Sequence, residues 1–266
     1  MKKKILLWLG GIILLFVATC LLLYLFQESL IFDARKLHTD HDFQFEVDFD
    51  EKYIETKDGM KLHGVLCKAD SSAGLIFFLH GTGGNVGWYK DNIPIYTGLN
   101  YDIFLLDYRG FGKSEGKITS EEQFYDDVSI VYEYLKSVYR EDKIAIIGFS
   151  LGGVPAAMLS SKNHPKCLIL EGTAYSILEK AKKKLPFLPV SLISRYDFEI
   201  KDFIREVSVP IVVFHGDQDK AADLSNSLRL KPYLKPDDKL FILEGEGHGN
   251  FINNDKYRTE IKKILK

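Results

Sequence analysis

A chain of 266 residues is long enough for one large domain with a substantial core. Its 46% hydrophobic and 27% charged residues are the balance of a globular enzyme, and a net charge of -2 gives no sign of a nucleic-acid partner. Cys20, Cys67 and Cys167 are scattered and odd in number, which argues against a disulfide framework, and they show no metal-ligand spacing; they read as buried free thiols.

The chain opens on Met1-Lys2-Lys3-Lys4 and continues as an uncharged apolar run from Ile5 to Phe26, interrupted only by Gly10, Gly11, Thr19 and Cys20. A helix of that length crosses a hydrocarbon core of roughly 30 Å. Lysines before the run and Glu28 after it place the N-terminus in the cytoplasm and the rest of the chain on the opposite side of the membrane. A cleaved signal peptide has a shorter core and a small-x-small exit, whereas this run passes Ala18 without a break. A lipoprotein signal ends on its cysteine, whereas Leu21 to Phe26 carries the run beyond Cys20. The reading is an uncleaved single-pass anchor over residues 1–27, followed by one domain over residues 28–266.

Gln27 to His41 reads as a connector. Phe43 to Phe49 alternates apolar and polar residues, the pattern of a half-exposed strand, and Tyr53 to Thr56 resumes it. Asp58-Gly59 marks a hairpin turn, and Leu62 to Cys67 is the returning strand. From Gly74 the pattern changes to continuous apolar runs, as in strands covered on both faces. They are Gly74–Leu79, Ile103–Leu106, Ile144–Ile147, Leu168–Leu170, Ile211–Phe214 and Leu240–Leu243. Helices are predicted near Val86–Gly98, Leu151–Ser161, Asp223–Tyr233 and Asn250–Leu265. Another begins at Ser120 as N-cap and carries Phe124, Val128, Val131, Tyr132 and Leu135 on one face. The alternation predicts an α/β fold: a mostly parallel central sheet with two antiparallel N-terminal strands and helices on both faces. Between Thr173 and Val207 the chain leaves the sheet, which predicts a small cap over residues 173–207. Its Lys180, Lys182, Lys183 and Lys184 are either a solvated helix face or a contact to anionic lipid head groups.

Gly148-Phe149-Ser150-Leu151-Gly152 lies between a predicted strand and a predicted helix, the context of a nucleophile elbow. A serine there takes a strained backbone conformation that lifts its hydroxyl clear of both elements. Acyl transfer further needs a base, a carboxylate to orient it, and donors for the oxyanion. His248, between glycines in the loop after the last strand, is the candidate base. Asp219 and Asp217, just past another strand, compete as the acid, the other being a solvated turn residue. The order serine, acid, histidine is that of an α/β-hydrolase. His80-Gly81-Thr82-Gly83-Gly84-Asn85 follows the first central strand and lacks the residues of a P-loop. The N–H groups of Thr82 and Leu151 are the candidate oxyanion hole. His80 and His215 read as structural residues of their His-Gly turns, and no histidines pair as metal ligands.

These motifs resemble the α/β-hydrolases of the BEM46, or alpha/beta hydrolase domain-containing 13, type, which are also grouped with serine aminopeptidase-like and lysophospholipase-like hydrolases. The resemblance covers essentially the whole chain: the anchor, Gln27 to Phe32, the His80 to Asn85 turn, Asp107 to Gly116, the Ser150 elbow, Pro186 to Val190, His215-Gly216 and Gly247-His248. It implies Asp219 rather than Asp217 as the acid, and a structural turn at Asp107 to Gly116 with Asp107 and Arg109 as a pair. One departure stands after the acid, where Lys220-Ala221-Ala222-Asp223 replaces the usual apolar residue and proline. The expected activity is cleavage of an ester or thioester of a small molecule or lipid by a membrane-anchored serine hydrolase that needs no cofactor and no metal. A serine aminopeptidase-like peptidase and a non-catalytic membrane scaffold are the alternatives. Nothing in the sequence sets an oligomeric state.

Overall fold

The computed structural model describes residues 1–249 and 251–266. Among them an eight-stranded sheet is formed by β1 (Phe49–Glu55), β2 (Lys61–Cys67), β3 (Gly74–Leu79), β4 (Tyr101–Leu106), β5 (Ile144–Phe149), β6 (Cys167–Glu171), β7 (Ile211–Gly216) and β8 (Lys239–Leu243). The spatial order is β8-β7-β6-β5-β3-β4-β2-β1. Strands β3 to β8 pair in parallel, while β2 runs antiparallel to both β1 and β4. The predicted mostly parallel sheet with an antiparallel N-terminal hairpin is therefore the observed one. Central strands are continuously apolar because both faces are covered. Along β3, Leu75, Phe77 and Leu79 enter one core, and Ile76 and Phe78 enter the other.

Helices α1 (Lys2–Ile31), α2 (Ile93–Thr97), α3 (Glu121–Val138) and α4 (Gly153–Lys162) precede three short ones, α5 (Ile177–Lys184), α6 (Val190–Ile193) and α7 (Lys201–Ile204). The last two are α8 (Ser225–Leu228) and α9 (Asp255–Leu265). Side chains of α3 and α4 fill one core and those of α2 and α9 the other. The Ser120 hydroxyl accepts the Gln123 N–H and starts α3 where the sequence predicts. The short helices α5, α6 and α7 all lie between β6 and β7, in the stretch predicted as an insertion.

Four expectations are corrected. The connector reading of Gln27 to His41 fails at its start, because α1 continues through Ile31 and buries Gln27. Residues 43–48 form no strand, and β1 begins only at Phe49. Phe43 stacks on Phe45 at 5.3 Å and on His63 at 5.6 Å, so ring packing satisfies the alternation that strand pairing was expected to satisfy. The predicted helix over Asp223–Tyr233 is reduced to α8 and one tight turn at Lys231–Tyr233, where Pro232 offers no N–H to extend it. Asp107 and Arg109 do not pair with each other. Asp107 bonds to His63 at 2.7 Å, and Arg109 bridges Asp58 and Asp127, each at 2.7 Å. The start of the predicted helix at Asn250 lies outside the described residues.

Candidate active site

The elbow is built by close approach. A Cβ at Gly152 would lie 2.0 Å from Leu79 O, and one at Gly148 would lie 2.5 Å from Gly152 O. Only glycine lets β3, β5 and the start of α4 come this near. Between them Ser150 holds φ at +53°, in the left-handed region that L side chains rarely adopt. Its carbonyl is pinned by the Thr173 hydroxyl at 3.2 Å and the Ala174 N–H at 3.4 Å. The strain is thus held from the segment that follows β6.

Three residues far apart in sequence meet at the carboxyl ends of the strands. His248 Nε2 lies 3.0 Å from Ser150 Oγ, and its Nδ1 lies 2.7 Å from Asp219 Oδ2. The Nδ1 contact with a carboxylate assigns the proton to Nδ1 and leaves Nε2 as acceptor for the serine hydroxyl. The imidazole packs against the Phe149 ring at 5.0 Å between centroids. Asp219 has no exposed side-chain surface. Burial alone would raise its carboxyl, but hydrogen bonds with His215, His248 and the Ala222 N–H outweigh it and hold the group well below the usual carboxylate range. Its Oδ1 accepts the N–H groups of both Ala221 and Ala222 at 2.8 Å. Asp217, the competitor, is exposed and instead accepts the Gly245 N–H.

His215 is more than a turn residue. Its Nε2 faces Ala222 O at 2.6 Å and Asp219 Oδ2 at 3.4 Å, and its Nδ1 accepts from the Ser227 hydroxyl at 2.6 Å. It faces the same Asp219 oxygen that His248 bonds. Sequence reading missed this, although a second histidine four residues before the acid was the available signal. His80, at the end of β3, is buried, and desolvation pushes it down to about 4, so it is neutral. It anchors the next loop: its Nδ1 donates to Gly81 O, and its own carbonyl accepts the Tyr108 hydroxyl.

That loop runs beside the serine. A Cβ at Gly81 would sit 3.2 Å from Ser150 Cβ. Thr82 is held by its carbonyl, which accepts the Asp33 N–H, while its own N–H meets no acceptor among the described residues. Leu151 is buried at the opening of the turn into α4. Thr82 also lines a cavity of about 470 Å³ between the end of α1 and the insertion. Among the described residues no cluster of three or more His, Cys, Asp or Glu side chains is placed to hold a metal ion. Chemically, the arrangement can transfer the serine proton to His248 and stabilise the imidazolium against a buried carboxylate.

Residues 70–198 match the family model described as serine aminopeptidase, S33. The protein bem46 of Schizosaccharomyces pombe is 29% identical over 74% of this chain and 71% of its own length. An uncharacterised membrane protein of Saccharomyces cerevisiae is also 29% identical, over 68% of this chain and 65% of that protein. Among solved structures, an esterase of Pyrococcus furiosus superposes with a TM-score of 0.71 at 19% identity, covering 88% of this chain and 97% of the esterase.

Proposed function

We propose that this chain, which is similar to the α/β-hydrolases of the BEM46 type, is a membrane-anchored serine hydrolase that cleaves carboxylic esters or thioesters through an acyl-enzyme on Ser150. The contact that carries this reading is His248 Nε2 to Ser150 Oγ at 3.0 Å, with buried Asp219 behind the imidazole. Ser150 Oγ attacks the acyl carbonyl as His248 takes its proton. The N–H groups of Thr82 and Leu151 receive the oxyanion, each contributing about 3 kcal/mol in the transition state. His248 then gives the proton to the departing alcohol or thiol, and a water activated by the same imidazole releases the acid. No step calls for a cofactor.

In this reading α1 is an uncleaved anchor with its N-terminus in the cytoplasm, the domain over 28–266 lies on the far side, and residues 173–207 act as its cap. The helix is long and apolar enough to span, and its apolar stretch is unburied. A carbonate wash of membranes should leave the full-length chain in the pellet; its release overturns the anchor. The name of the matched family raises an aminopeptidase as the second reading. The cavity beside Thr82 has lysines but no carboxylate among its lining residues to hold a substrate ammonium, which favours the ester. Wild type should take up a fluorophosphonate probe and hydrolyse nitrophenyl esters, and Ser150→Ala should do neither. Labelling that survives Ser150→Ala removes this nucleophile, and turnover of aminoacyl-arylamides without ester turnover reverses the ranking.

A further inference from the structure

The end of α1 is fastened to the insertion by a ring of polar groups. Gln27 is buried; its Nε2 donates to Ile193 O at 3.3 Å, and its Oε1 accepts the Arg195 N–H at 2.7 Å. Glu28 pairs with Arg195 at 2.6 Å and accepts the Tyr196 hydroxyl at 2.8 Å. The Arg195 guanidinium lies 5.0 Å from the centre of the Tyr24 ring. At roughly 1.5 Å per residue, the apolar helix before this ring spans about the 30 Å of a hydrocarbon core. With α1 as the anchor proposed above, the ring falls at the membrane surface, and the insertion it holds lies against the bilayer.

Two further features belong to the same end of α1 and to the insertion packed on it. The cavity between α1 and the insertion is walled by Leu23, Leu30 and Ile31 on one side and by Ile177 and Ala181 on the other. Leu23 lies one turn on the membrane side of the polar ring, and Thr82, which follows the Gly81 that lies against Ser150, also lines the cavity. In the stretch from α5 to α6, which packs on α1, Phe187 is 92% and Leu192 84% exposed. Large apolar side chains this bare in water are costly unless a partner covers them. Exposed Lys182, Lys183 and Lys184 stand beside them, suited to lipid phosphates.

We propose that this cavity is an acyl-chain channel open to the bilayer. Phe187 and Leu192 seat in the leaflet beside α1, and a membrane lipid carrying an ester-linked chain passes that chain sideways past Leu23 to Thr82 and Ser150. The fate of the chain rests on the hydrolase reading above, and the seating and the channel rest only on its anchor, which the carbonate wash tests separately. The test uses the full chain in phosphatidylcholine vesicles containing an anionic lipid, with Trp8 and Trp88 replaced by Phe. A single tryptophan is introduced as Phe187→Trp, Ile177→Trp or, as the solvent control, Glu133→Trp. Tails brominated near their middle should quench the tryptophans at 187 and 177 by about half or more, as expected of side chains in contact with acyl chains, and spare the control. An unquenched tryptophan at 187 overturns the seating, and one at 177 overturns the channel. Separately, Ala181→Trp should lower the ratio of long-chain to short-chain nitrophenyl ester hydrolysis about tenfold or more, with Ala181→Leu intermediate. An unchanged ratio overturns the channel as the substrate path. A wild type inert to fluorophosphonate sinks the hydrolase reading, and the quenching still decides the channel.

Discussion

Two aspartates stand two positions apart after β7, and only Asp219 faces His248. We expect Asp219→Asn to lower kcat by about 10^4, because an amide cannot hold the tautomer that leaves Nε2 free to accept. Asp217→Asn, which alters an exposed side chain bonded to Gly245 N–H, should change kcat by no more than about threefold. Nitrophenyl ester kinetics on both variants separate the two, and equal losses would remove Asp219 from its assigned role. The pair was legible as a pair, since both follow a buried strand. The choice between them was not legible from residue types. It depends on the backbone course through Ala221 and Ala222, whose N–H groups converge on Asp219 Oδ1. The departure from the usual proline has a consequence here: a proline at 221 has no N–H to give.

At the scale of elements, strands were legible where physics left one option. A run covered on both faces is apolar almost throughout, so β3 to β7 announce themselves, while β8, partly exposed at the edge of the sheet, shows as a shorter apolar run. The β1–β2 hairpin was legible from Asp58-Gly59, but not what fastens it. Arg109, almost fully buried, holds hairpin residue Asp58 with one edge of its guanidinium and Asp127 of α3 with the other. Burial raises the Asp127 carboxyl, against the pull of Arg109. Arg109→Ala therefore leaves a buried carboxylate without its partner, and we expect a loss of about 3–5 kcal/mol in urea unfolding. Arg109→Lys should recover only part of it, since an ammonium cannot bond both carboxylates in the plane the guanidinium uses. A loss below about 1 kcal/mol for Arg109→Ala would show that the hairpin is held by its apolar contacts alone.

For the molecule as a whole, the feature with the widest reach is a buried acid that belongs to no motif and so drew no notice in the sequence. Glu171 ends β6, and Gly172 after it lies against both Asp219 and His248. Burial pushes the Glu171 carboxyl from 4.5 up to about 7, with hydrogen bonds from the Tyr257 and Tyr96 hydroxyls pulling the other way. The folded chain thus keeps a proton that the unfolded chain gives up above 4.5. Its contribution to stability is complete below that pH and is lost as pH rises through about 7. His80 has the opposite sign: its folded value of about 4 lies below its ordinary 6.5, so its contribution is present above 6.5 and is lost as pH falls through 4. Taking pH 5.5 and 8.5 as working points, the Glu171 share of the change is a fall of about 2 kcal/mol with rising pH. Glu171→Gln keeps a neutral group that still accepts from the tyrosines, so urea unfolding of that variant should lose this fall. A variant whose stability drops with pH as steeply as wild type would mean that Glu171 titrates as an ordinary carboxylate, and that the floor beneath His248 carries its charge at neutral pH.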